Sequence, residues 1–136
     1  MRITIVSAVL GMLLVGIGGV RLAEARSGLC RGWIHETQLG GGVWTFHSLD
    51  CDEDPCAGPN PDCELVPVPN TGGVRWQCGC NGTLDGTCDA TQVQHGGGTS
   101  ALCSGTCNPG TCKEIKGVIL WQEQGINHRL NDCKCQ

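Results

Sequence analysis

Residues 75–82 read RWQCGCNG, and the last six residues, 131–136, read NDCKCQ. On an extended strand successive side chains point to opposite sides, so the two cysteines of a Cys-x-Cys pair leave from the same face. Such a pair is poorly placed to bond within itself and well placed to tie its strand to two cysteines of the preceding loops. Zinc knuckles use wider spacings, Cys-x₂₋₄-Cys, and no redox-type Cys-x-x-Cys occurs anywhere in the chain. The two Cys-x-Cys pairs therefore read as anchors of a disulfide framework.

Working outward, the first 25 residues, MRITIVSAVLGMLLVGIGGVRLAEA, carry Arg2, an apolar run from Ile3 to Val20 and the triplet Ala23-Glu24-Ala25. That is the charged, apolar and small-x-small order of a secretory signal peptide. Cleavage would start the mature chain near Arg26, with no membrane span left. Retention of the run as an anchor is the alternative, since it approaches the roughly 18 residues needed to cross a bilayer. Leu29, preceding Cys30, is not the small residue that lipid attachment would need. The expected location is secreted and extracellular, or periplasmic in a Gram-negative source.

Taking 25 from 136 leaves 111 residues that hold all 12 cysteines. An even count at that density, in a chain that meets an oxidising compartment, implies six disulfides. Large side chains are few in this span: Trp33, Trp44, Phe46, Trp76 and Trp121, with no tyrosine. A small chain so poor in core formers depends on covalent staples. Removing Arg2, Arg21 and Glu24 with the signal leaves 7 basic and 12 acidic residues, a net charge of −5. With no Lys/Arg run, a nucleic-acid partner is not indicated.

The cysteines fall into two sets of six: Cys30, Cys51, Cys56, Cys63, Cys78, Cys80, then Cys88, Cys103, Cys107, Cys112, Cys133, Cys135. Each set runs lone cysteine, triple-glycine stretch, tight trio, long gap, Cys-x-Cys. HETQLGGG follows Cys30 and DATQVQHGGG follows Cys88. This order predicts a duplicated module, with residues 26–87 as the first copy and 88–136 as the second. Each long gap reads as a β-hairpin. ELVPV and VRWQCGC flank PNTGG in the first copy; IKGVILWQ and HRLNDCKC flank EQGIN in the second. Pro67 marks its strand as an edge or an interrupted one. Leu130 alternates against Cys133 and Cys135. EDPCAG is at most one helical turn. The fold class is therefore small, disulfide-rich and mainly β, built of two related hairpin-containing modules with long Gly/Pro-rich loops. Six cysteines allow 15 pairings per set, and spacing does not choose among them.

In another frame, Cys51, Cys56, Cys63, Cys78, Cys80 and Cys88 resemble an epidermal-growth-factor-like module. CGCNGTLDGTC is similar to the C-terminal loop of that family, and DCDEDPC is similar to the acidic lead-in of its calcium-binding members. The resemblance covers residues 51–88. Cys51 interrupts the acidic lead-in, Cys30 is stranded and the second half has no equivalent sixth cysteine. The six-plus-six repeat accounts for all twelve and is preferred.

Few constellations suggest chemistry. Asp50, Asp52 and Asp54 alternate like calcium ligands, yet Pro55–Cys56 stands where a calcium loop needs glycine, and Pro61 where it needs glutamate. An acidic solvent-facing loop is the plainer reading. His35, His47, His95 and His128 are spread through the sequence and read as surface or packing residues. No nucleophile elbow, HExxH helix, phosphate loop or haem-attachment motif is present, so no catalytic residue, cofactor or metal is expected. Trp33 and Trp44 flank HETQLGGGV and are candidate contact residues. Asn81 opens an NGT glycosylation sequon. The function expected is non-catalytic binding of an extracellular protein, carbohydrate or envelope component. Two alternatives are a secreted inhibitor or toxin-like effector working through a disulfide-braced loop, and a self-assembling extracellular structural protein.

Overall fold

The computed structural model describes residues 30–53, 55–58, 61–69, 71 and 74–136. Residues 1–29, which hold the expected signal, and Asp54 of the acidic trio lie outside them. Eight strands are present: β1 Gly32–Leu39, β2 Thr45–Cys51, β3 Cys63–Pro67, β4 Arg75–Cys80, β5 Asp89–His95, β6 Gly98–Ser104, β7 Cys112–Glu123 and β8 Ile126–Cys135. No helix occurs among the described residues, so the expected helical turn at EDPCAG is not found in its described part. The fold is mainly β, cysteine-rich and held by six disulfides.

The strands form two four-stranded antiparallel sheets, ordered β2-β1-β8-β7 and β3-β4-β5-β6. Each sheet thus takes one hairpin from residues 26–87 and one from 88–136. The first sheet is sealed by the β1–β8 ladder, Ile34 opposite Asn131 through Leu39 opposite Ile126. The second is sealed by the shorter β4–β5 ladder. β3, with Pro67, is an edge strand, where a missing N–H costs no ladder bond.

The hairpins expected in the long gaps are β3–β4 and β7–β8. In the latter, Glu123 pairs with Ile126 around Gln124-Gly125, both at positive φ (53° and 79°), as the tightest hairpin turn requires. Leu130 does stand opposite in face to Cys133; it pairs with Ile119 on the same face as His35. Two further hairpins, β1–β2 and β5–β6, take up both glycine runs. Gly96-Gly97 is a two-residue turn and residues 40–44 are a short connection, so these runs are hairpin ends and not long loops.

The sheets meet over a small core of Ile34, Leu49, Cys78, Cys88, Ala90 and Cys133. Gly32 on β1 packs closely against Ala90 on β5 and Cys78 on β4. A Cβ on Gly32 would lie 3.3 Å from the Ala90 methyl and 3.2 Å from Cys78 Sγ, tighter than ordinary packing. The disulfides join cysteines first to fourth, second to fifth and third to sixth within each set: Cys30–Cys63, Cys51–Cys78, Cys56–Cys80, then Cys88–Cys112, Cys103–Cys133, Cys107–Cys135. Cys51–Cys78 links β2 to β4, and Cys103–Cys133 links β6 to β8, so each crosses from one sheet to the other. Both Cys-x-Cys pairs tie their strand to two earlier cysteines. Cys63 and Cys88 bond outside the 51–88 span, so that span does not close as a growth-factor-like unit.

A framework of this density is characteristic of proteins folded in oxidising, extracellular-type compartments. No helix of the described residues is long and apolar enough to cross a membrane.

Candidate functional site

Polar and aromatic side chains gather on the first sheet. Ladder register decides which of them share a face. On one face stand Trp33 and His35 of β1, Ser48 and Asp50 of β2, and the directly opposed pair Trp121 (β7) and His128 (β8). The β1–β2 register shifts between His35 and Glu36, which sets His47 into a bulge and turns its ring toward His35, centroids 4.7 Å apart.

Three of the four histidines therefore meet, where the sequence suggested scattered surface or packing positions; His95 instead bonds Ser100 Oγ on the second sheet at 2.6 Å. His35 Nδ1 lies 3.2 Å from Asp50 Oδ2 and 3.4 Å from Ser48 Oγ, and Ser48 donates to Asp50 Oδ1 at 2.6 Å. On the other side of the ring, His35 Nε2 is 2.9 Å from His128 Nδ1. His128 stacks on Trp121 with centroids 4.9 Å apart and planes 10° from parallel. Facing a carboxylate, His35 carries its proton on Nδ1; Nε2 then accepts from His128 Nδ1–H. The result is a line, Asp50–His35–His128, ending beside Trp121. Burial holds the His35 ring below its ordinary pKa; Asp50 pulls it upward, and His47 and His128 push it further down.

The opposite face of the same sheet carries a second network. Glu36 Oε1 accepts from Arg129 Nη2 and Nε, both at 2.8 Å, and from Asn131 Nδ2 at 2.5 Å. Asn131 is fully buried, donates to Glu114 Oε2 at 2.9 Å and accepts from the Gly117 amide at 2.8 Å. The Arg129 guanidinium lies 4.4 Å above the Trp44 ring. A cavity of about 310 Å³ is lined by residues from both faces, Trp44, Leu120 and Asn127 from this one and Trp121 and His128 from the other.

Of the candidate contact residues, Trp44 is half-buried on this cavity, whereas Trp33 is 7 % exposed and donates its indole N–H to Asp52 Oδ1 at 2.8 Å. Of the calcium candidates, Asp50 is engaged by Ser48 and His35, and Asp52 by Trp33 and the Arg31 amide. Among the described residues, the groups of three or more convergent ligand-type atoms are three cysteine trios, and every one of those sulfurs is in a disulfide, so none offers a thiolate. Neither a family model nor a curated protein nor a solved structure matches the chain.

Proposed function

We propose that residues 1–25 direct export and that the mature protein works by binding an extracellular partner, without catalysis, through the open end of the first sheet. The observation that carries this reading is the set of apolar side chains left in water there. Leu39 is 78 % exposed and Val43 83 % at the end of the β1–β2 hairpin, and Leu120, 66 % exposed on β7, lines the cavity beside the half-buried Trp44. Contact surfaces favour exposed apolar side chains rimmed by polar groups, and a frame cross-linked six times loses little entropy on binding.

The test is saturable binding of labelled mature protein to the cells and extracellular matrix of its producing culture. The reading expects binding that is lost when Leu39, Val43 and Leu120 are all changed to serine; equal binding by that variant, or none by wild type, overturns it. Protease and glycosidase treatment of the target separates protein from carbohydrate partners. Sedimentation showing concentration-dependent association would favour the self-assembly reading instead.

The two cysteine sets are, on the same reading, copies of one ancestral module. Identical pairing order in both sets supports this, as does the equal share each half contributes to each sheet.

A further inference from the structure

His35 and His128 meet head to head. Their ring centroids are 5.2 Å apart and His35 Nε2 lies 2.9 Å from His128 Nδ1, so the hydrogen bond runs along the line through both rings. A hydrogen bond between two imidazole nitrogens needs one N–H and one lone pair. Asp50 holds the His35 proton on Nδ1, and the His35 Nε2 lone pair is taken by His128 Nδ1–H. The lone pair left over in this line is on His128 Nε2, which has no hydrogen-bond partner among the described residues. A first added proton fits there and leaves the bond intact. His128 becomes a cation stacked on Trp121, with planes 10° apart, and still donates from Nδ1. A second proton has only His35 Nε2 to go to, and two N–H groups then point at one another across 2.9 Å. The bond does not survive that step.

We propose that the Asp50–His35–His128 line is a two-step proton switch in the wall of the cavity: the first proton is held at His128 with the rings joined, and the second drives His128 away from His35. His128 and its stacking partner Trp121 both line the cavity, so the second step reshapes it. The charges that bear on His35 are those of Asp50 and His47 from β2 and His128 from β8, while β7 presents the uncharged Trp121. Asp132 on β8 and Glu123 on β7 lie further along the same face, four residues from His128 and two from Trp121. Burial is the largest influence and sets His35 below its ordinary value of 6.5; Asp50 opposes it, and charge on His47 or His128 lowers it further. The second proton therefore enters below pH 6.5. The native state takes it up less readily than the unfolded chain does, so native stability, full above that pH, drains away as pH falls through the lower folded value. That the switch gates a partner rests on the binding reading above; the proton steps do not, and their test uses no partner.

Trp121 reports on both steps, because its ring lies 4.9 Å from His128 and 5.2 Å from His35. The experiment titrates the nitrogen-15-labelled protein from about pH 8 to about pH 4 and follows the imidazole nitrogens and the Trp121 indole by NMR. At the start, the nitrogen–nitrogen coupling through the hydrogen bond should join His35 Nε2 to His128 Nδ1. The expected course is protonation of His128 Nε2 first, with the coupling kept. Protonation of His35 Nε2 follows below pH 6.5, with the coupling lost and the Trp121 indole signal shifted. His128→Phe keeps a ring on Trp121 and removes the neighbouring charge, so His35 should titrate at higher pH than in wild type. His95→Gln should change neither step. A first proton on His35, a coupling that persists once both rings are charged, a Trp121 signal that ignores the second step, or a His35 midpoint unmoved in His128→Phe would each overturn the switch. The wild-type titration decides on its own should the variant fail to fold. Intact proton steps with no partner binding at any pH would overturn the binding reading alone.

Discussion

Arg31 and Asp89, each the residue that follows the first cysteine of its set, face one another with Arg31 Nε 3.6 Å from Asp89 Oδ1. The same carboxylate oxygen accepts from the amides of Gly32 at 2.9 Å and Ala90 at 2.8 Å, two residues that pack against each other across the sheets. Arg31 also donates to Thr87 Oγ1 and to the Cys88 carbonyl. Both side chains are largely buried, so removing one partner leaves a charge with little water to solvate it. Asp89→Ala should cost about 3 kcal/mol in denaturant unfolding with the disulfides intact. Asp89→Asn should cost less, because its amide oxygen still accepts from both amides. Equal losses would show that charge, and not the amide contacts, is what matters.

Gly105 sits at φ 129° where Thr106 pairs with Thr87, and a Cβ there would overlap the Thr87 carbonyl. Backbone is in the way on one side and the dihedral is unfavourable on the other. Gly105→Ala is expected to destabilise by about 3 kcal/mol. Gly97→Ala, in open space within its turn, should stay within about 0.5 kcal/mol. Thermal melts of the two variants give the comparison.

Arg129 does two things: it binds Glu36 through two nitrogens and covers Trp44. A cation over an indole contributes about 0.5–1 kcal/mol, whereas removing the guanidinium leaves the half-buried Glu36 carboxylate with Asn131 alone among these donors. Arg129→Met is therefore predicted to lose about 2 kcal/mol, and Trp44→Phe less than about 1 kcal/mol. The reverse order would mean that the Glu36 contact is solvated and weak.

Asp85 supplies a pH dependence. Burial pushes its pKa up, but hydrogen bonds from the Thr87 amide and hydroxyl, at 3.0 and 2.8 Å, together with the charge of Arg31, outweigh burial and hold it below the ordinary carboxylate value of 3.8. A carboxylate with a depressed folded pKa favours the native state above its unfolded pKa, and this contribution drains away as pH falls through the lower folded value. Carboxyl titration by NMR should place the Asp85 midpoint below 3.8, and Thr87→Val should raise it. A midpoint at or above 3.8 in the native protein contradicts the geometry.

Part of this architecture is legible in the residues. The even and dense cysteine count points to six bridges, Cys-x-Cys on an alternating stretch marks β4 and β8 as strands, and Pro67 allows β3 only as an edge or an interrupted strand. The β1–β2 and β5–β6 hairpins are not legible in the same way. GWIHETQL alternates weakly, and its polar residues are covered because β1 pairs with β8, some 95 residues away in sequence. The matching TQ letters mislead about register: counted from the first cysteine of each set, Thr91 stands level with Trp33, four residues out of step with Thr37. His128 reaches the histidine cluster only through that long-range pairing, whereas His47 meets His35 within the β1–β2 hairpin. WIHET, FHSLD and INHRL each carry one histidine on a strand, and nothing local says that the three strands are neighbours.

Peptide mapping of the non-reduced protein tests the central claim, that each half locks its two hairpins into different sheets. Cleavage with acid-range proteases, which prevents exchange, should give only linkages equivalent to Cys30–Cys63, Cys51–Cys78 and Cys56–Cys80 in the first set, and Cys88–Cys112, Cys103–Cys133 and Cys107–Cys135 in the second. A bridge between the sets, such as Cys78 to Cys133, or any free thiol, would contradict the account.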